Sequence, residues 1–236
     1  RPLRHLVQEK QPPPGGFFAS RKPESRKTGR PPGMFYWKKG PDPGRMGASI
    51  TIMSILSDRL SEEILQARQR VYTVGEPTPL QRLNLPGIKA PVYAKREDLG
   101  PIRAYKWRGA FNCMAALSQE ARDKGIVAAS AGNHAQGVAL AARVLNCHAT
   151  IFMPRSTPEV KQTEVRRHGG RHVKIMLHGD CYDETAAAAH EYTETHGCTF
   201  VHPYDDLVTM AGQGTLADEV VMSCLLYTSP SPRDTR

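Results

Sequence analysis

The sequence predicts an α/β fold in which parallel sheets are flanked by helices. Short apolar runs alternate with stretches whose apolar residues recur every three or four positions, and glycine- or proline-containing turns separate them. A chain that repeats strand, helix, strand in this way closes most simply as parallel strands with crossover helices on the faces of the sheet.

The first helix is expected at 57–70, where Leu56, Leu60, Ile64, Ala67 and Val71 share one face. A strand follows at 92–95. The next helix, 106–117, places Trp107, Ala110, Phe111, Met114 and Leu117 inward. Strand 126–129, helix 135–145 and strand 150–153 come next. Helix 158–168 opens with Pro158 and stops at Gly169-Gly170, the expected punctuation at its two ends. Strand 173–177, helix 183–195, strand 199–201 and helix 215–222 complete the pattern. Cys113, Cys147 and Cys181 are evenly spaced in dissimilar surroundings, so no internal repeat is inferred.

The net charge of +9 is unevenly distributed. Residues 1–46 hold 11 of the 32 Lys and Arg and 3 of the 23 Asp and Glu, which leaves the remainder nearly neutral. A nucleic-acid binder needs a basic face on its folded part, so nucleic acid is not an expected partner. Residues 1–52 are rich in Pro, Gly, Arg and Lys, too poor in apolar surface to offset the entropy of ordering, and are expected to be a disordered leader. The chain begins with Arg, and Met53 opens a patterned helix, so translation is expected to start there. The domain proper is expected at 53–222. Residues 223–236, with their Ser-Pro-Ser-Pro run, are expected to be a non-native tail.

Five cysteines without a C-x-x-C pair suit reduced thiols in a cytoplasmic protein. No apolar run approaches the roughly 18 residues that cross a bilayer, and the N-terminus has no signal-peptide pattern, so no membrane role is expected. His168 and His172 flank a helix-breaking Gly169-Gly170 and are not expected to share a metal. His190 and His196 read as surface residues, Cys113 and Cys147 as core fillers, and 161–167 as a solvated charged face. Gly212-Gln213-Gly214 reads as a turn into a helix, or as lining a site.

Two segments point to chemistry. Lys106 lies in the first turn of a helix, with Arg103 and Arg108 near it in sequence and Tyr105 and Trp107 beside it. A cation there opposes the helix dipole, and neighbouring charge and burial would also disfavour the ammonium form. An amine kept neutral is the nucleophile that Schiff-base chemistry needs; an ordinary solvated lysine is the alternative. Ser130, Ala131, Gly132, Asn133 and His134 follow a strand and open a helix. Small residues there let a ligand approach the backbone, and free N–H groups favour a carboxylate or phosphate. A tight turn with Asn133 as helix cap is the simpler reading. The glycine spacing does not fit dinucleotide binding.

K-R-E-D, A-Y-K-W-R-G and S-A-G-N-H-A-Q-G, in this order, resemble the serine/threonine dehydratase branch of the fold-type II pyridoxal-phosphate enzymes. Thr150–Pro154, His178-Gly179-Asp180, His202–Asp206 and Gly212–Thr215 strengthen the likeness, which covers roughly 60–222 and is greatest to the bacterial biosynthetic threonine dehydratases. It implies an incomplete tryptophan synthase β-like fold, with the small subdomain at roughly 97–200. It also implies pyridoxal 5'-phosphate as cofactor, Lys106 as the lysine bonded to it and Asn133 as partner of its phenolic oxygen. Residues 130–134 match the loop that grips the substrate carboxylate. The implied reaction is β-elimination of L-threonine to 2-oxobutanoate and ammonia, for isoleucine synthesis, in a homo-oligomer. L-serine as substrate, a racemase of the same fold, or a non-catalytic sensing or assembly domain are the alternatives. Ala104 and Trp107 depart from the pattern, where Ser and a smaller residue are usual. The glycine-rich phosphate loop and the later Ser or Cys at the pyridine nitrogen do not occur after Gly214, so the polypeptide as it stands is expected to be inactive.

Overall fold

The computed structural model describes residues 46–228. The expectations for 1–45 and 229–236 lie outside the described residues. Helix α1, Met46–Val71, begins ahead of the expected start at Met53, and α7, Leu207–Thr228, runs past the expected boundary at 222. No proline interrupts 46–52, unlike the segment before it, so nothing in that stretch stops the helix.

Strands β1, Leu80–Leu83, and β2, Val92–Lys95, form an antiparallel pair in which Leu80 faces Lys95. The sequence pattern does not reveal β1, because Leu80-Gln81-Arg82-Leu83 has no alternation. Helix α2, Lys106–Ala116, is followed by the one-turn α3, Gln119–Asp123, capped by the Ser118 hydroxyl, which accepts from the Ala121 N–H at 3.2 Å. Then come β3 (Ile126–Ala129), α4 (Asn133–Val144), β4 (Ala149–Met153), α5 (Glu159–Gly169), β5 (Val173–Leu177), α6 (Tyr182–His196) and β6 (Thr199–Phe200). Gly170, at φ +56°, ends α5 in a conformation that side chains rarely adopt.

Strands β3 to β6 make one parallel sheet in the order β5-β4-β3-β6. Strand β3 is buried on both faces, as central parallel strands are. Ile126 and Ala128, with Ile151 and Met153 of β4, face the core that α2 and α4 supply. Val127, Ala129 and Phe152 face the other way, against Ala189 of α6. Each such Ile, Val or Met contributes about 1.5–3 kcal/mol by burial. Cys113 and Cys147 are buried in the first core, whereas His190 and His196 are exposed, as their sequence contexts suggest.

Helix α7 corrects one expectation. Gly212-Gln213-Gly214 is not a turn but lies inside α7, where missing side chains let helices approach. A Cβ on Gly212 would sit 2.5 Å from the Arg108 carbonyl oxygen, and one on Gly109 would sit 2.6 Å from that of Thr209. The glycines read as helix breakers from sequence because the α2 surface that they receive is remote in the chain.

Candidate active site

The strand order reverses at β3. From β3 the chain moves outward through β4 to β5, then returns through α6 to place β6 on the other side of β3. In open parallel sheets the crevice beyond the carboxyl ends of two such strands is where ligands bind, because the following loops diverge there. The loop after β3 is 130–132 and the segment after β6 is 201–206.

Lys106 reaches this crevice from α2. It is the first residue of the helix and partly buried, and its Nζ donates a 2.9 Å hydrogen bond to the Pro203 carbonyl. The amine also lies 5.6 Å from the centre of the Tyr105 ring. Two parts of the expected setting are different. Trp107 turns away into the core, with the Gly75 and Gly100 backbones against its ring, and does not enclose the lysine. Arg108 adds no open charge, because it is buried in ion pairs with Glu97 and Glu219. Arg103 holds φ +56° in the loop that leads into α2. A positive φ is costly for a residue with a side chain, so this loop carries local strain immediately before the lysine.

The 130–134 segment turns from β3 into α4. Gly132, not Asn133, is the N-cap, and the Ser130 hydroxyl accepts from its N–H at 3.2 Å. Asn133 is the first helical residue and is exposed. Nothing would lie within 4 Å of a Cβ on Gly132, so the turn is open. The N–H groups of the first turn of α4 have no carbonyl to bond within the helix.

His134 is 3% exposed, and its Nε2 lies 3.0 Å from the Val201 carbonyl. A carbonyl only accepts, so Nε2 carries the proton and Nδ1 is a buried acceptor without a partner. Thus His134 and Lys106 grip carbonyls two residues apart on the segment after β6. In the sequence Lys106 and 130–134 stand out as site candidates, whereas 201–206 enters only as the end of a strand and part of the dehydratase resemblance, without a place in the site. The strand order that brings this segment to the crevice has no local signature.

Burial lowers the His134 pKa to about 4, against the hydrogen bond to Val201, and the Lys106 ammonium adds to the lowering. The folded state therefore keeps the ring neutral while the unfolded chain protonates it near pH 6.5. Stability from this group is fully present above pH 6.5 and is lost as pH falls from 6.5 to 4, by about 3 kcal/mol in all. Urea midpoints should fall from pH 7 to pH 5 in the native protein and much less in His134→Gln; equal slopes would refute the assignment.

Helices α2 and α4 meet at Gly137. A Cβ there would lie 2.9 Å from the Trp107 Cα and 3.2 Å from the Lys106 carbonyl oxygen, both backbone atoms that cannot swing aside. Gly to Ala in a helix ordinarily gains up to about 1 kcal/mol. Here overpacking costs about 1–3 kcal/mol and reverses the sign. Gly137→Ala should lower the unfolding midpoint, and an unchanged or raised midpoint would show that the helices can part freely.

Residues 71–231 match the family model described as pyridoxal-phosphate dependent enzyme. The biosynthetic L-threonine dehydratase of Mycobacterium tuberculosis is 48% identical over 161 residues, 67% of this chain and 38% of that protein. The chain thus spans about two-fifths of the length of such curated relatives. The processed form of threonine deaminase isoform 2 from Solanum lycopersicum superposes with a TM-score of 0.62 at 39% identity, covering 71% of this chain and 46% of that one. Maize serine racemase superposes at 0.63 and 31% identity, covering 69% and 49%. With the matched region taking in α2, both sheet loops and α7, the chain belongs to the pyridoxal-phosphate dependent enzymes.

Proposed function

We propose that this chain is part of a threonine ammonia-lyase that converts L-threonine to 2-oxobutanoate and ammonia, with Lys106 as the residue that holds pyridoxal 5'-phosphate. The observation that carries the reading is the position of the Lys106 amine, at the start of α2 and against the segment after β6, in the crevice where the strand order reverses. The residues fit such a group. A primary amine, the exposed amide of Asn133 and a donor-rich open turn match an aldehyde, a phenolic oxygen and an anionic substrate.

When bound, the cofactor supplies an electron sink for the substrate α-carbon. Lys106 would hold it, and Asn133 would donate to its phenolic oxygen. Within 130–134, the N–H groups at the start of α4 that have no helical acceptor would take the substrate carboxylate and so fix the direction of the Cα–H bond. The Lys106 amine, once free, would remove the α-proton. The 2.9 Å bond to Pro203 is the contact that the amine must release first. Isoleucine synthesis, a cytoplasmic location, homo-oligomeric assembly and the absence of nucleic-acid or membrane partners belong to the same reading. It is supported by the dehydratase relatives; among the described residues no helix is long and apolar enough to cross a membrane.

The test is turnover of L-threonine and L-serine by the full-length, cofactor-loaded protein. Release of 2-oxobutanoate in preference to pyruvate supports the proposal. Formation of D-serine without ammonia would replace it with a racemase, the activity for which the maize neighbour is named.

A further inference from the structure

Arg108 stands at the centre of a buried, charge-balanced cluster to which the proposed chemistry gives no task. The residue is fully buried, and each of its five N–H groups has an acceptor. Nε and Nη2 donate to the two oxygens of Glu97 at 3.0 and 2.9 Å. Nη1 donates to Glu219 Oε1 at 2.5 Å and to the Thr215 hydroxyl at 3.1 Å, and Nη2 reaches Glu219 Oε2 at 3.3 Å. Lys95 bonds to Glu219 and Thr78 and lies 3.8 Å from Glu97. Tyr72 donates to Glu219 Oε1 at 2.9 Å, and the Thr78 hydroxyl to Glu97 Oε1 at 2.6 Å. Two cations meet two carboxylates, contributed by β2, the 3-10 turn Glu97–Leu99, α2 and α7.

Stability alone is a poor reason for such a cluster. Well-packed apolar residues of the same volume commonly serve as well or better, because four charges need not be taken out of water. What a planar, two-pronged arginine adds is angle: the Glu97 fork accepts the guanidinium in one orientation only. Lys106 and Arg108 are two residues apart on one helix, about 200° around its axis. Fixing Arg108 on one side therefore fixes where Lys106 points on the other. The close contacts at Gly109, Gly212 and Gly137 leave α2 little room to settle in another rotation.

We propose that Arg108 is a positioning residue which, through Glu97 and Glu219, sets the direction in which Lys106 presents its amine. The proposal rests on the reading of Lys106 as the cofactor lysine, but Arg108 touches no reacting atom.

The test compares full-length, cofactor-loaded protein with Arg108→Lys, which keeps the charge and loses the fork, and Glu97→Gln, which keeps the shape and loses the charge. Four quantities are read: the cofactor dissociation constant per folded molecule, its release rate, the peptide labelled after borohydride reduction, and the unfolding midpoint. The expected result is binding weakened about 10- to 100-fold in both variants, the effect of a small misplacement, with Lys106 still the labelled residue. A lower midpoint with unchanged binding and release per folded molecule would make the cluster structural only and overturn the proposal. Should Arg108→Lys fail to fold, Glu97→Gln decides alone. Labelling of another residue in the unmodified protein would overturn the cofactor reading itself, and is visible before any substitution is made.

Discussion

Lys106→Ala is expected to abolish covalent trapping of the cofactor and to lower turnover by about 100- to 10,000-fold, the range for a lost general base. It should do so without unfolding the protein. The side chain is only partly buried, and its amine makes one hydrogen bond, to Pro203, and one ring contact, with Tyr105. Losing a partly exposed bond of this kind costs about 1 kcal/mol. The unfolding midpoint should therefore stay within a few degrees while the absorbance of the lysine-bound cofactor disappears. Arg108, fully buried and touching no reacting atom, is expected to differ: its replacement should lower the midpoint and weaken cofactor binding while Lys106 remains the labelled residue. Normal turnover by Lys106→Ala, or borohydride labelling at Lys95 instead, would remove the central residue of the proposed site.

Lys106 and 130–134 stand out in the sequence because each sits where a strand or loop hands over to a helix, and such junctions leave a local mark. Ile126–Ala129 and Val173–Leu177 were found with their observed bounds, as continuous apolar runs between clear turns. Asn133 illustrates the limit. It looks like a helix cap by residue type, yet Gly132 takes that place and frees the amide. The environment of Lys106 was less legible still. From sequence, Arg108 adds to its charge and Trp107 shields it; in three dimensions both side chains leave the site, because one and two residues along a helix turn the side chain by about 100° and 200°. Glu97 and Glu219 meet at Arg108 across a separation that no local pattern spans. The same holds for the segment after β6, whose carbonyls enter the site only once the sheet order is known.

Arg108→Met is expected to destabilise the fold by about 3–5 kcal/mol, the cost of breaking a buried ion pair from one side. Lys95 would then face two carboxylates, leaving one negative charge uncompensated in a site where Glu219 is 7% exposed. The pH dependence distinguishes this cause from a simple loss of packing. In the native protein burial works to raise the Glu219 pKa, but hydrogen bonds from Arg108 and Lys95 outweigh it and hold the carboxyl below its ordinary value. That stability is present above the usual carboxylate range and is lost as pH falls through the lowered value. Without Arg108 the balance tips towards desolvation, and the folded carboxyl titrates above its unfolded value. Such a group gains stability as pH falls. The deficit of Arg108→Met, measured by urea unfolding, should therefore be smaller at pH 5 than at pH 7, where the His134 contribution is common to both proteins and cancels. Adding Glu219→Gln should recover part of the loss at pH 7 through a coupling of about 0.5–3 kcal/mol. A deficit that is independent of pH and additive with Glu219→Gln would mean that Arg108 acts through its volume and not its charge.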